Sequence, residues 1–392
     1  MKYNFDEHIP RTNTGSVKWD QSEVLFGDKD ILPMWVADMD FKVPQPVIEA
    51  LKAKAEHGIF GYTGGTASYW DAVIGWMKTR HNWDIQKEWI SHAPGVVPAL
   101  NIIVQAFTAP GDRIMIQSPV YHPFAKVVEM NGRELTVNQL QNEAGRYTMN
   151  FTDLKEKLKL GVKMLILCSP HNPVGRVWSE EELRELGEIC LANDVLIVSD
   201  EIHADLVMPG SRHTVFASIN EEFEQNSIIC TAPSKTFNLA GLQTSNIIIP
   251  NANLRAKFKK SMEEHFLGSM NTFGIAAAES AYLEGADWLD QLLEYLQGNY
   301  NYIKNYLETH LNKLIVSPLE GTYLVWVDCR TLGLDAKELE RHMQKEAKVA
   351  FNHGYIFGEG GEGFLRINIA CPRSIVEEGM KRLERAVNAL SS

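Results

Sequence analysis

Short apolar runs punctuate the middle of the chain, at residues 113–117, 163–168, 194–199, 227–231 and 244–249. Runs this continuously hydrophobic predict strands buried on both faces. Between them lie segments with helical spacing. The clearest covers residues 179–192, where Ser179-Glu180-Glu181-Glu182 supplies an N-cap and an acidic first turn. Strands alternating with helices predict a mainly parallel sheet with helices on both faces. Ligands of such sheets gather at the carboxyl ends of the strands, so chemistry is expected just after the apolar runs. Beyond about residue 285 the pattern changes to a long helix over 287–311, a strand over 322–328, a helix over 336–347, a strand over 363–369 and a final helix over 374–390. This predicts a smaller α+β domain at 285–392 behind a large domain at 46–284. Residues 1–45 are rich in proline and aromatics, have little periodicity, and read as an arm contributing to the small domain.

Composition narrows the class. The 392 residues are 45% hydrophobic and 22% charged, which excludes a disordered chain, a collagen-like repeat and a small disulfide scaffold. With 38 Lys+Arg against 50 Asp+Glu the net charge is −12, and no long basic run offers a face to nucleic acid or anionic membrane. The start, Met1-Lys2-Tyr3-Asn4-Phe5-Asp6, lacks a signal pattern, and the apolar runs fall far short of the roughly 20 residues that span a bilayer. Of the 5 cysteines none pairs as C-x-x-C, and Cys168, Cys230 and Cys329 sit in or beside strand-like runs as buried thiols. A cytoplasmic protein is the expectation.

Four segments have chemical potential. Thr231-Ala232-Pro233-Ser234-Lys235-Thr236-Phe237-Asn238 puts a lysine just past a buried strand. Carbonyl chemistry needs a neutral amine, and desolvation lowers a lysine pKa toward that state. By itself, a solvated loop lysine reads the same. Val195-Leu196-Ile197-Val198-Ser199-Asp200-Glu201-Ile202-His203 ends an apolar strand on an acid, where a buried carboxylate needs a partner. A protonated pyridine nitrogen would serve; a helix N-cap, or a metal site with Glu201 and His203, are the other readings. Ser169-Pro170-His171-Asn172-Pro173-Val174-Gly175-Arg176 brackets an asparagine with prolines and closes on glycine, either a stiff donor platform or an ordinary turn. Ala93-Pro94-Gly95-Val96-Val97-Pro98 leads into an apolar helix whose first amides suit a phosphate.

As an ordered set, these segments resemble the fold-type I pyridoxal-phosphate enzymes of the class I/II aminotransferase superfamily, across essentially the whole chain. The motif S-P-x-N-P-x-G, at Ser169 to Gly175, followed by a strand-end Asp and a Ser-Lys pair, carries the resemblance. It implies an α/β fold with a central, mainly parallel seven-stranded sheet and a smaller α+β C-terminal domain, with pyridoxal 5′-phosphate as cofactor. It implies Lys235 as the cofactor-bound lysine and the base that takes the Cα proton. Asp200 would keep the pyridine nitrogen protonated, so the ring stays an electron sink. Asn172 would bond the ring oxygen, and Tyr121, in Ser118-Pro119-Val120-Tyr121-His122-Pro123, would stack on the ring. Gly95, Val96 and Ser234 would hold the phosphate, and Tyr62, in Phe60-Gly61-Tyr62-Thr63, would reach the phosphate of a partner subunit. Arg366, in Phe364-Leu365-Arg366-Ile367-Asn368, would fork the substrate carboxylate together with Asn172; a structural ion pair is the rival reading.

There are two departures from the superfamily pattern. His203 stands where a tyrosine often helps on the ring oxygen, and Gln243 stands where an arginine often meets the phosphate. Ser199-Asp200-Glu201-Ile202-His203-Ala204-Asp205, with Pro33-Met34-Trp35-Val36-Ala37-Asp38-Met39-Asp40-Phe41 in the arm, looks like the MalY/PatB type of cystathionine β-lyase. Trp35 and Ala37 would then shape the substrate side-chain pocket; a hydrophobic plug over the dimer interface is the other reading. The implied activity is a C–S β-lyase on small amino-acid thioethers, working as a homodimer with shared sites and no metal. The alternatives are an aminotransferase using the same residues, or a cofactor-bearing protein with a regulatory partner.

Overall fold

The computed structural model describes residues 2–390 and builds its central layer from seven strands. In chain order these are β1 (Ile90–Ala93), β2 (Arg113–Ile116), β3 (Glu134–Val137), β4 (Val162–Cys168), β5 (Leu196–Asp200), β6 (Ser227–Thr231) and β7 (Ser245–Ile248). Across the sheet they lie in the order β1-β7-β6-β5-β4-β2-β3. The run from β3 to β6 is parallel, while β7 is antiparallel to both of its neighbours. All five apolar runs are strands. The two strands without such a run, β1 and β3, form the sheet edges, where half-polar sequences such as Ile90-Ser91-His92-Ala93 suffice. Strand β5 starts two residues later than its apolar run, because Asp194 adopts a left-handed backbone (φ 55°) and the Val195 N–H still bonds the Cys190 carbonyl of the preceding helix.

Side-chain alternation divides the core in two. Met164, Ile166, Val198 and Ile228 face one way, against a helix over Val96–Phe107; Leu165, Leu167, Ile197 and Ile229 face the other. At roughly 1.5–3 kcal/mol for each large aliphatic side chain buried, both layers contribute heavily to stability. The helices include α1 (Ala67–His81), α2 (Val96–Phe107), α3 (Glu180–Leu191), α4 (Pro233–Thr236), α5 (Ala286–His310) and α6 (Arg373–Ala389), of which α2 and α4 line the site. Ser179 caps α3 in a reciprocal capping box with Glu182, as the sequence predicts.

The C-terminal part carries an antiparallel sheet of β8 (Ile315–Val316), β9 (Leu324–Asp328), β10 (Asn352–His353) and β11 (Phe364–Asn368), in the order β8-β9-β11-β10. The helix expected over 336–347 is α-helical only over Ala336–His342 and continues as a π-turn over Met343–Ala347. The arm is laid onto this part. Leu32–Pro33 pairs in parallel with Val349–Ala350, and Asn368 Nδ2 donates to the Val36 and Asp38 carbonyls at 2.6 and 2.7 Å. A buried charge cluster fixes the arm's turn: Asp40 accepts from Lys18 Nζ at 2.7 Å, Arg11 Nη1 at 2.7 Å and Trp19 Nε1 at 2.9 Å. Lys18 is only 1% exposed, so this carboxylate and ammonium depend on each other. All five cysteines are buried and unpaired. Among the described residues, no helix is long and apolar enough to cross a membrane.

Candidate active site

The carboxyl edge of the large sheet, the arm and the β10–β11 face enclose a cavity of about 430 Å³. The sheet delivers Gly95 and Val96 after β1, Tyr121 after β2, Asn172 after β4, Asp200 and His203 at and after β5, and Ser234 and Lys235 after β6. The arm adds Trp35 and Ala37, and β11 adds Arg366. The expected site residues therefore converge on one cavity, with a single exception. Tyr62 lies on the surface, fully exposed, and does not line the cavity of its own chain.

Lys235 rises from the short helix α4, and its Nζ donates to the Ala37 carbonyl at 2.7 Å. The Tyr323 hydroxyl donates to the same carbonyl at 2.8 Å. Burial, with the nearby Arg366 charge, lowers the Lys235 amine to about 8 against the weaker pull of Asp38 and Asp200. Asp200 is the last residue of β5, and its side-chain carboxylate accepts from the Ile202 N–H at 3.1 Å. Burial pushes this carboxyl up to about 7; the Ile202 amide and Lys235 oppose the shift and Glu201 adds to it. Glu201 turns the other way, to the Ser199 hydroxyl at 2.9 Å, His213 at 2.8 Å and the Phe216 N–H at 3.0 Å. Asp200, Glu201 and His203 thus share no point where a metal would sit, and no metal-holding cluster occurs among the described residues. His203 is buried edge-on to Tyr323, its Nδ1 has no partner among the described residues, and burial beside Lys235 and Arg366 keeps its imidazole neutral.

Asn172 owes its placement to a loop tied at both ends. His171 Nε2 meets the Pro119 carbonyl at 2.9 Å, and Gly175 closes the turn in the left-handed region (φ 74°). A β-carbon at Gly175 would come within 2.9 Å of Leu319, so only glycine fits there. Asn172 Oδ1 accepts from Arg366 Nη1 at 2.9 Å, which directs its amide nitrogen elsewhere in the cavity. Arg366 Nη2 donates to the Trp35 carbonyl at 3.0 Å and also bonds Asn352, its guanidinium lies 4.8 Å over the Phe357 ring, and its Nε is buried with no hydrogen-bond partner among the described residues. No carboxylate pairs with Arg366 among the described residues, as a structural ion pair would require. Burial lowers the guanidinium to about 10 against the pull of Tyr121 and Tyr323.

Gly95 precedes the first turn of α2, whose first amides have no partner within the helix, and this turn lines the cavity with Ser234, Gln243 and Thr244. Tyr121 packs edge-on to Phe124, and burial with the Asp200 charge raises its phenol. The donor set fits a flat, phosphorylated pyridine. The lining holds a buried carboxylate to meet a ring nitrogen, an asparagine amide and a neutral histidine, and a helix N-terminus with a hydroxyl that suits a phosphate.

The sequence reading missed Tyr323, Asn352, Asp38 and His122. Tyr323 orients the Ala37 carbonyl and Asn352 grips Arg366, while Asp38, forked by Arg11 at 3.0 and 2.9 Å, and His122 line the cavity. Asp38 and His122 each had a signal, since they stand within the arm segment and the Tyr121 segment already singled out.

The family described as aminotransferase class I and II matches residues 29–383. The chain is 48% identical to cystathionine beta-lyase PatB of Bacillus subtilis, over 98% of this chain and 100% of the relative. It superposes with a TM-score of 0.97 and 43% identity on cystalysin from Treponema denticola, which contains a pyridoxal 5′-phosphate cofactor, covering 100% of both chains. A PLP-bound putative aminotransferase from Clostridium difficile 630 also gives 0.97, at 46% identity over 99% of this chain and 100% of that one.

Proposed function

Because the chain belongs to the class I and II aminotransferase family, we infer from its site that it is a pyridoxal-phosphate-dependent carbon–sulfur lyase. It cleaves cystathionine and related cysteine S-conjugates by α,β-elimination, releasing thiol, pyruvate and ammonia. The observation that supports this reading best is the charge of the cavity. Among the described residues that line it, Arg366 is the only guanidinium, and Trp35 and Val17 give it apolar surface. One arginine serves the α-carboxylate, and none is left for a carboxylate at the short side-chain position of aspartate or glutamate; the second carboxylate of cystathionine lies beyond the sulfur and carries its own ammonium.

Bound pyridoxal 5′-phosphate supplies the electron sink for the pair released at Cα. Lys235 Nζ is the base that takes the Cα proton, and its burial favours the neutral amine this requires. Asp200 holds a proton on the ring nitrogen, which in turn gives its buried carboxylate the cation it lacks. Arg366 and the Asn172 amide would grip the α-carboxylate and so orient the substrate's Cα bonds, and Tyr121 would pack against the cofactor. His203 would offer a neutral imidazole to the ring oxygen. Gln243, a neutral amide in place of the usual arginine, leaves the phosphate to the Gly95–Val96 amides and Ser234.

Tyr62 completes the phosphate site of a second subunit in a homodimer. The exposed Ile59, Phe60 and Tyr62 support this, forming an apolar strip that a partner would cover. Five buried free thiols favour a reducing, cytoplasmic setting. An assay with aspartate and 2-oxoglutarate tests the reaction class: the enzyme is expected to be nearly inert with that pair while releasing thiol from cystathionine. Robust transamination without thiol release would overturn the lyase reading.

A further inference from the structure

A second buried polar cluster lies behind Lys235, outside the cavity. Asp205, on the turn after β5, accepts from the Thr236 hydroxyl at 2.7 Å through Oδ2. Its Oδ1 accepts from Trp76 Nε1 at 2.9 Å and pairs with His81 Nε2 at 2.8 Å, both on α1. The cluster is closed: the Asp205 side chain is 9% exposed, Thr236 0% and Trp76 5%. Neither Asp205 nor Thr236 lines the active-site cavity. A carboxylate satisfied three times in the interior costs desolvation that an apolar residue would avoid, so its location calls for a physical reason.

That reason is the helix it holds. The helix α4 has only four residues, too few to keep its own shape, and Lys235 is its penultimate residue. Thr236 is the point at which α4 is tied to the large-domain framework. Just beyond, Asn238 ties the same turn to the arm: its Oδ1 accepts from the Met39 N–H at 3.0 Å and its Nδ2 donates to the Met39 carbonyl at 2.9 Å. The arm in turn presents the Ala37 carbonyl that receives the Lys235 amine. The lysine is thus held from two sides, by a fixed carboxylate at Thr236 and by the arm at Asn238.

We propose that Asp205 and Thr236 are positioning residues, the hydroxyl–carboxylate bond between them aiming the Lys235 side chain into the cavity. The proposal rests on the reading of Lys235 as the reactive amine. Proton transfer at a fixed distance is sensitive to displacements of about 1 Å, which can cost around 100-fold in rate. Substrate binding through Arg366 lies on a different element and is unaffected by the anchor.

The test compares holoenzyme carrying Thr236→Val, which keeps shape and loses the hydroxyl, with Thr236→Ser, which keeps the hydroxyl. In Thr236→Val, kcat on cystathionine is expected to fall about 10- to 100-fold with KM within about twofold. The pH midpoint of the visible absorbance of the lysine-bound cofactor should move in the same variant. Thr236→Ser should restore both to near the parent. A folded Thr236→Val with parental kcat and an unmoved absorbance midpoint would overturn the proposal, as would Thr236→Ser failing together with it. Should Thr236→Val not fold, Thr236→Ala gives the same readings with the same expected losses. Borohydride labelling of the parent separates the levels: a label on any lysine but Lys235 overturns the reading beneath the proposal, whereas a label on Lys235 with an indifferent Thr236→Val overturns only the proposal.

Discussion

Asp200 and Glu201 are chemically alike and adjacent, yet β5 turns one into the cavity and the other into a closed set of partners. The strand-end position of Asp200 and the strand–lysine spacing were legible because both follow from sheet geometry. Asn352 and Tyr323 were not, since they act on Arg366 and on the Ala37 carbonyl, partners remote in sequence. The Asp200 environment leads to a paired prediction. A carboxyl whose folded pKa is raised to about 7 binds more protons folded than unfolded, so its contribution to stability falls as pH rises toward that value. Asp200→Asn should therefore stabilise the cofactor-free protein at pH 8, by roughly 2 kcal/mol in denaturant unfolding. The same change should lower turnover of the loaded enzyme at least about 100-fold, with cofactor still bound. Near-normal turnover would remove Asp200 from the mechanism. Arg366→Lys replaces the fork with a point charge, and KM for cystathionine should rise about 10- to 100-fold in steady-state kinetics.

At the level of the element, the arm is where sequence and structure diverge most informatively. Its aromatic, acid-bearing segment was readable as something laid beside the substrate. Its actual contacts run largely through backbone: the Trp35 carbonyl on Arg366, the Ala37 carbonyl on Lys235, the Val36 and Asp38 carbonyls on Asn368. Backbone groups carry no residue signature, so these could not be read from composition or spacing. What holds the arm is the Asp40 cluster. Lys18→Met leaves a buried carboxylate short of a cation and should cost about 3 kcal/mol, read from denaturant unfolding. Despite its burial, Lys18, Trp19 and Arg11 keep the folded Asp40 carboxyl below its ordinary value, so its stabilisation is present above the unfolded carboxylate pKa and is lost as pH falls through the folded one. The cost of Lys18→Met should accordingly shrink on acidification, and a cost independent of pH would detach the arm from this ion pair.

For the whole molecule, the parallel centre of the sheet was legible from its apolar runs, while the edge strands β1 and β3 were hidden by their polar residues. Assembly leaves a different trace, in residues that have no role within one chain. Tyr62, fully exposed and outside its own cavity, should serve a partner. Mixing Tyr62→Phe with Lys235→Ala subunits should then regenerate one working site per heterodimer, and a fully active monomer by sedimentation would refute the shared site. The central claim is the fate of the electron pair left at Cα, and a mass balance on cystathionine tests it most directly. Thiol, pyruvate and ammonia should appear in equal amounts, with no added keto acid and no keto product retaining the thioether. A keto acid that keeps its carbon–sulfur bond, formed without free thiol, would contradict the account.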